Sequence, residues 1–177
     1  KAFPGYSTSA AAVYEQALST TQPNQPVFIC GRKGTPKKRI AKIIHQRHTS
    51  QAPFVTVDGE HRDAQKFIAA CSKSTSEPTR WMHRARHGIL YITNADHWSR
   101  NHCQELAAAV DDVRIIVART HEIDIEQQDI IIRIPRLSER REDILVWAKY
   151  FCNAIGFDNV RFSTELAIQF IGYSWPG

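Results

Sequence analysis

Five short runs of β-branched and apolar residues, at 27–30, 54–57, 89–93, 113–117 and 130–134, punctuate the chain. Longer segments between them carry apolar residues at helical spacing. The runs are apolar at most positions, the pattern of strands covered on both faces rather than of strands with one face in water. Between them, 37–48 sets Ile40, Ile43 and Ile44 on one helical face, and 101–110 does the same with Leu106 and Val110. A parallel strand must be followed by a crossover that returns the chain along the sheet, and a helix is the usual crossover. The alternation therefore predicts a three-layer α/β sandwich around a mainly parallel five-stranded sheet.

From Ser138 the pattern changes. Ser138, with Arg141 and Glu142 behind it, opens a helical pattern through Ile144, Leu145, Ala148 and Phe151, and Ser163 caps another through Leu166 and Phe170. Residues 1–137 are thus expected to form the α/β core and 138–177 the beginning of a helical lid. The polar stretch 72–79 reads as a surface loop. With 177 residues and 42% hydrophobic content, one main core is expected. The net charge of +5 does not by itself call for nucleic acid. Cys30, Cys71, Cys103 and Cys152 are too far apart in sequence for a disulfide framework or a structural zinc site and read as reduced thiols. Neither His45 and His48 nor His97, His102 and Cys103 supply a convincing metal-ligand set, so no metal is expected. No apolar run approaches a membrane span and no signal-type segment opens the chain, which predicts a cytoplasmic protein.

The chemistry concentrates after the first strand. Gly31-Arg32-Lys33-Gly34-Thr35-Pro36-Lys37-Lys38 joins that strand to a helix, the setting in which glycine-rich loops surround a phosphate with backbone N–H groups while a lysine reaches its outer oxygens. Gly31, Gly34, Thr35, Lys37 and Lys38 are the candidate phosphate ligands. Pro36 stands where a second glycine belongs and removes one donor, and Lys38 replaces the hydroxyl that would meet magnesium. An ordinary basic strand-to-helix turn is the alternative reading of these eight residues.

Several further segments resemble the central AAA+ domain of sigma-54-dependent activators. Phe3-Pro4-Gly5-Tyr6-Ser7 and Val13-Tyr14-Glu15-Gln16 are similar to the family's opening segments, and Pro26 to Thr35 is similar to its phosphate loop. Pro53-Phe54-Val55, Asp112-Val113-Arg114-Ile115-Ile116, Leu137-Ser138-Glu139-Arg140-Arg141-Glu142-Asp143-Ile144 and Trp175-Pro176-Gly177 follow in the family's order. The resemblance implies an AAA+ fold, an adenine nucleotide as ligand, and a role as the regulatory core of a bacterial transcription activator. It further implies DNA contact through a C-terminal domain outside this chain and assembly into a homo-oligomer.

The departures qualify that picture. Where the family has "GTLFLDE", this chain reads Gly88-Ile89-Leu90-Tyr91-Ile92-Thr93-Asn94, so Thr93 and Asn94 replace both acids that would support magnesium and polarise the attacking water. The stretch 59–88 is several residues short and lacks the family's sigma-54 contact sequence. Thr120 stands for the polar asparagine after the fourth strand, and the segment carrying trans-acting arginines is reduced to roughly 124–129. The resemblance places a second sensor arginine beyond Gly177. Together these predict a pseudo-ATPase working with RNA polymerase that carries the housekeeping sigma factor. A residual ATPase using Lys37 with Asp96 or Asp58 is the alternative.

Arg80-Trp81-Met82-His83-Arg84-Ala85-Arg86-His87 is the densest basic segment, and a solvated basic edge is its plainest reading. Arg80 with Arg84, and Arg136 with Arg140, share a spacing similar to that of arginine pairs that bind cyclic di-GMP, and Trp81 adds a stacking surface. Some biofilm and flagellar regulators of the family respond to that nucleotide, which makes it the second candidate ligand.

Overall fold

Six consecutive apolar or small residues, Pro26 to Gly31, span the strand that precedes the phosphate loop, and that strand becomes an inner rail of a five-stranded sheet. The computed structural model describes residues 5, 7–20, 25–48, 51–71, 80–109, 112–122, 124 and 126–176. Its strands are β1 (Val27–Cys30), β2 (Phe54–Asp58), β3 (Ile89–Thr93), β4 (Arg114–Arg119) and β5 (Ile130–Arg133). Its helices are α1 (Thr8–Ser19), α2 (Lys37–His48), α3 (Arg62–Cys71), α4 (Arg80–Arg84), α5 (Arg100–Ala109), α6 (Ile144–Ala154) and α7 (Thr164–Gly172). The strands lie in the order β2-β3-β4-β1-β5 and every pairing is parallel. This is the expected α/β sandwich.

Burial follows strand order. β1 and β4 are covered throughout, and β3 except at Thr93, because each has a strand on both sides and helices on both faces. β2 and β5 are edge strands, and both are only half covered, so the expectation of five fully buried strands is corrected at the two edges. One apolar cluster joins Ile29, Ile40, Ile44 and Ile116 with α1 and α2; the other joins Phe28, Leu90, Ile92 and Leu106 with α3, α4 and α5. The register pairs Phe28 with Val117 and Ile131, so side chains of neighbouring strands enter the same layer.

Three helices went unanticipated by apolar spacing. In α1, Ser7 caps the amino end by accepting from the Ala10 amide at 3.0 Å. Helices α3 and α4 flank the stretch 72–79, and the loop expected there lies outside the described residues. The helix expected to open at Ser138 is also corrected. Leu137–Glu139 and Arg141–Asp143 form two 3-10 turns, and α6 begins only at Ile144. The physical reason is Asp143, fully buried and held by Ser7 and Arg140, which fixes the chain's entry before a regular helix can start. Ser163 does cap α7, accepting from the Leu166 amide at 3.3 Å.

Candidate functional site

Strand order decides where a ligand can sit. β1 leaves the sheet between β4 and β5, and the chain then crosses to β2 at the far edge, so the carboxyl end of β1 opens at a switch in chain direction. The loop after β1 occupies that position. The Gly31 amide donates to the Arg119 carbonyl at 3.1 Å. A Cβ on Gly31 would lie 2.7 Å from Thr35 Oγ1 and 3.1 Å from the Ile134 carbonyl, so the close approach requires glycine there. Gly34 takes φ +84°, the left-handed region that turns the loop back toward α2. The Pro36 carbonyl accepts from the Arg39 and Ile40 amides at 3.0 and 3.3 Å, so proline begins the helix and supplies no donor of its own.

Lys37 folds over this loop. Its Nζ donates to the Gly31 carbonyl at 2.6 Å, to the Arg32 carbonyl at 2.8 Å and to Thr35 Oγ1 at 3.3 Å. Partial burial pushes its ammonium below the ordinary lysine value, while the charge of Asp96 acts in the opposite direction. Thr35 is bound within the loop as well, its amide donating to Arg32 at 3.1 Å and its hydroxyl to the same carbonyl at 2.7 Å. Lys38 points to solvent. Four of the five candidate phosphate ligands, Gly31, Gly34, Thr35 and Lys37, thus form one closed turn at the amino end of α2.

At the neighbouring strand end, Thr93 Oγ1 donates to the Val57 carbonyl at 3.3 Å and Asn94 Nδ2 donates to Asp58 Oδ1 at 3.2 Å. Both side chains are tied to β2. Asn94 also adopts φ +50°, a conformation that a short polar side chain tolerates. An acid whose charge reaches Lys37 is Asp96, whose Oδ1 accepts from the Thr120 amide at 2.6 Å and the Thr120 hydroxyl at 2.8 Å. Burial alone would raise its pKa. The hydrogen bonds from Thr120 and the His121 backbone, with the His121 charge, outweigh that and hold the carboxyl below its usual range.

Between the loop and the segment that carries α6 and α7 lies a cleft of about 490 Å³, walled by Arg32, Lys33, Arg136, Trp147, Phe151 and Trp175. One side is cationic and the other aromatic, a combination suited to a phosphorylated ring compound. Helix α6 meets α2 through Arg39, whose Nη1 donates to the Tyr150 hydroxyl at 3.0 Å and whose guanidinium lies 5.0 Å from the Tyr150 ring and 5.9 Å from that of Trp147. Arg39, Trp147, Phe151 and Trp175 were not singled out from sequence as site residues. The signal present was the aromatic spacing Trp147, Tyr150, Phe151 on one helix and the bulky Trp175-Pro176 after the next.

The four arginines considered for cyclic di-GMP do not converge. Arg80 and Arg84 are exposed on α4 beside β2, whereas Arg136 and Arg140 follow β5 at the opposite edge. Trp81 is half-buried, edge-on to Phe67 at 6.0 Å. Arg136 lies 3.7 Å from Glu139, and Arg140 is buried in an ion pair with Asp143 at 3.2 Å. Arg136 and Arg140 do both border the cleft.

Comparison with known proteins agrees with this architecture. NtrX from Brucella abortus in complex with ADP superposes with a TM-score of 0.75 at 19% identity, over 99% of this chain and 48% of that one. NtrX in complex with ATP gives 0.76 at 18%, over 100% and 49%. AMPPCP-bound DnaA from Aquifex aeolicus gives 0.58 at 14%, over 92% and 55%. At such identities the likeness establishes the fold, and this chain spans about half the length of those proteins. No curated protein matches the sequence. Among the described residues no helix is long and apolar enough to cross a membrane. The sigma-54 interaction domain matches residues 5–132, well over half of the 177, and the chain belongs to that family.

Proposed function

We propose that this chain is the regulatory core of a DNA-binding transcription activator and that it holds an adenine nucleotide as an allosteric ligand while hydrolysing it slowly or not at all. The observation that carries the reading is the closed loop at the carboxyl end of β1. Its lysine and glycines suit a phosphate, while the adjoining strand end offers Thr93 and Asn94 in place of acids. The NtrX structures hold ADP or ATP, and the same class of ligand is proposed here.

The residues fit a phosphorylated purine better than they fit magnesium. Lys37 would release the Gly31 and Arg32 carbonyls to meet a phosphate oxygen, and the ring would lie against the aromatic wall of the cleft. Bound magnesium would supply charge neutralisation on the outer phosphates. Lys38 brings a second positive charge where that ion would need a hydroxyl, and the Thr93 hydroxyl is turned to a backbone carbonyl. Affinity for the magnesium complex is accordingly weak.

On this reading the domain acts by conformational or oligomeric change, contacts DNA through a C-terminal domain outside these residues, and works with RNA polymerase carrying the housekeeping sigma factor. Calorimetric titration of the wild type and Lys37→Ala with ADP and ATP, with and without magnesium, tests the ligand. Loss of binding in the variant supports the proposal. Failure of the wild type to bind either nucleotide near 1 mM, a Kd corresponding to about 4 kcal/mol, refutes it. Cyclic di-GMP titrated in parallel against Arg80→Ala/Arg84→Ala separates the second candidate ligand. Transcription reconstituted with each sigma factor tests the partner.

A residual ATPase is the second reading, favoured by Asp96. Its charge acts on Lys37, and its carboxyl is held ionised beside Thr120. Turnover abolished by both Lys37→Ala and Asp96→Asn would establish it.

A further inference from the structure

Two strands leave the sheet side by side at the phosphate loop. Cys30 at the end of β1 is paired with Arg133 at the end of β5, and the Ile134 amide donates to the Cys30 carbonyl at 2.8 Å. One residue on, a Cβ on Gly31 would lie 3.1 Å from the Ile134 carbonyl, so the two segments are still in contact as they turn away. Cations follow on both: Arg32 and Lys33 after β1, and Arg136 after β5. All three line the cleft of about 490 Å³. Arg32 and Arg136 also line the neighbouring hollow that holds Cys30 and Thr120, which puts these two arginines at the boundary the hollows share.

Charge in this cleft is one-sided. Among the described residues, none of those that line it is an acid. Arg140 is neutralised from behind by Asp143, and Arg136 has Glu139 at 3.7 Å, but Arg32 and Lys33 are exposed and form no ion pair among the described residues. Like charges gathered in a concave site repel until an anion joins them. The loop's own donors are largely committed. The Gly31, Thr35 and Lys37 amides donate to the Arg119, Arg32 and Thr35 carbonyls, Pro36 has no N–H, and the three hydrogens of Lys37 Nζ meet Gly31, Arg32 and Thr35. A polyphosphate here meets few amides. With Thr93 and Asn94 tied to β2, the adjoining strand end offers it no pair of acids through which to hold a metal.

Resting on the nucleotide reading above, we infer that Arg32, Lys33 and Arg136 neutralise the outer phosphates in place of a metal, so that the cleft takes purine di- and triphosphates free of magnesium. An arginine meets a phosphate with two parallel N–H donors and brings a permanent positive charge. A nucleotide already complexed with magnesium presents less charge to these side chains and is held more weakly. Glu139 opposes the site, because it shares the Arg136 guanidinium that a phosphate would take.

Calorimetric titration of the 177-residue chain with AMP, ADP and ATP in EDTA, repeated in excess magnesium, tests the inference. Affinity in EDTA should rise about tenfold with each added phosphate, the worth of one charge-assisted hydrogen bond, and excess magnesium should lower the affinity for ATP by at least about tenfold. Arg32→Ala and Arg136→Ala should each weaken ATP about tenfold and leave AMP within about twofold, while Arg136→Lys, which keeps the charge, should lose less than Arg136→Ala. Glu139→Gln keeps the acceptor that the Arg136 amide uses at 3.0 Å and removes the competing charge, so it should bind ATP about threefold more tightly. Far-UV circular dichroism and a thermal melt establish that each variant is folded; an alanine variant that fails this is replaced by Gln at the same position. A wild type that binds no nucleotide near 1 mM, a Kd corresponding to about 4 kcal/mol, overturns the nucleotide reading and this inference together. Equal affinity for AMP and ATP, tighter binding with magnesium, or unchanged affinity in Arg32→Ala and Arg136→Ala overturns this inference alone and leaves nucleotide binding standing.

Discussion

Replacing Asp143 with alanine should cost more than any other single change where the chain enters α6. The carboxylate is fully buried. It accepts from the Ser7 amide at 2.9 Å, from the Ser7 hydroxyl at 2.5 Å and from Arg140 Nη1 at 3.2 Å. Burial depresses the Arg140 guanidinium and Asp143, more than Glu142, opposes that effect, so removing the carboxylate takes the larger compensation from a desolvated cation. Breaking a buried ion pair from one side costs about 3–5 kcal/mol. For a chain of this size that converts to a fall in Tm of roughly 6–20 °C, at about 2–4 °C per kcal/mol. Urea denaturation followed by circular dichroism gives the free energy, and calorimetry gives Tm. Asp143→Asn, which keeps an acceptor and loses the charge, should fall between the two proteins. Changing Arg140 to Met together with Asp143 to Leu should recover much of the loss, because the penalty lies in the unmatched charge. A cost below about 1 kcal/mol for Asp143→Ala would refute the reasoning, since a carboxylate exposed to water in solution would lose no more than that.

Three further outcomes are expected. Burial raises Cys30 and Cys103 to about 11, so in the native protein at pH 8 both should react with a thiol reagent far more slowly than the half-exposed Cys152, and urea should abolish the difference. Asp96 has a folded pKa below its ordinary value of 3.8, so its contribution to stability is present above that value and is lost as pH falls through the folded pKa; Asp96→Asn should flatten the acid limb of a stability-versus-pH curve below about pH 4. Arg39→Ala removes the hydrogen bond to Tyr150 and two ring contacts, and limited proteolysis should then cut around α6 sooner, with a global cost of about 1–2 kcal/mol by urea titration.

The fold was legible wherever burial imposed a period. β1, α2 and β3 have the bounds their residues predict, because uninterrupted apolar runs and the spacing of Ile40, Ile43 and Ile44 admit one solution each. α1 escaped notice because its apolar face is mostly alanine, as at Ala10 and Ala17, and such small residues carry little periodic signal. The start of α6 was misplaced because Ser138, with Arg141 and Glu142 behind it, looks like a helix opening, while the deciding interaction joins Asp143 to Ser7, 136 positions away. The same division holds at the site. The loop of Gly31, Gly34 and Lys37 is local and could be read directly. The cleft is not local: Arg32, Trp147 and Trp175, far apart in sequence, line it together only in the folded chain, and no spacing in the sequence encodes that approach.

The distribution of the site over the sheet has an evolutionary consequence. Pro36, Lys38, Thr93 and Asn94 all stand at the rim, exposed or half-exposed, while the two apolar clusters that hold the sheet together lie between strands and helices below them. Substitutions in such places usually change stability by only about 0.5 kcal/mol, whereas substitutions within the clusters cost several times more. Selection for a folded domain therefore guards the interior and is nearly blind to the letters that cleave a phosphate bond. On the reading proposed above, those letters are free to drift while the scaffold, its loop and its joint to α6 persist.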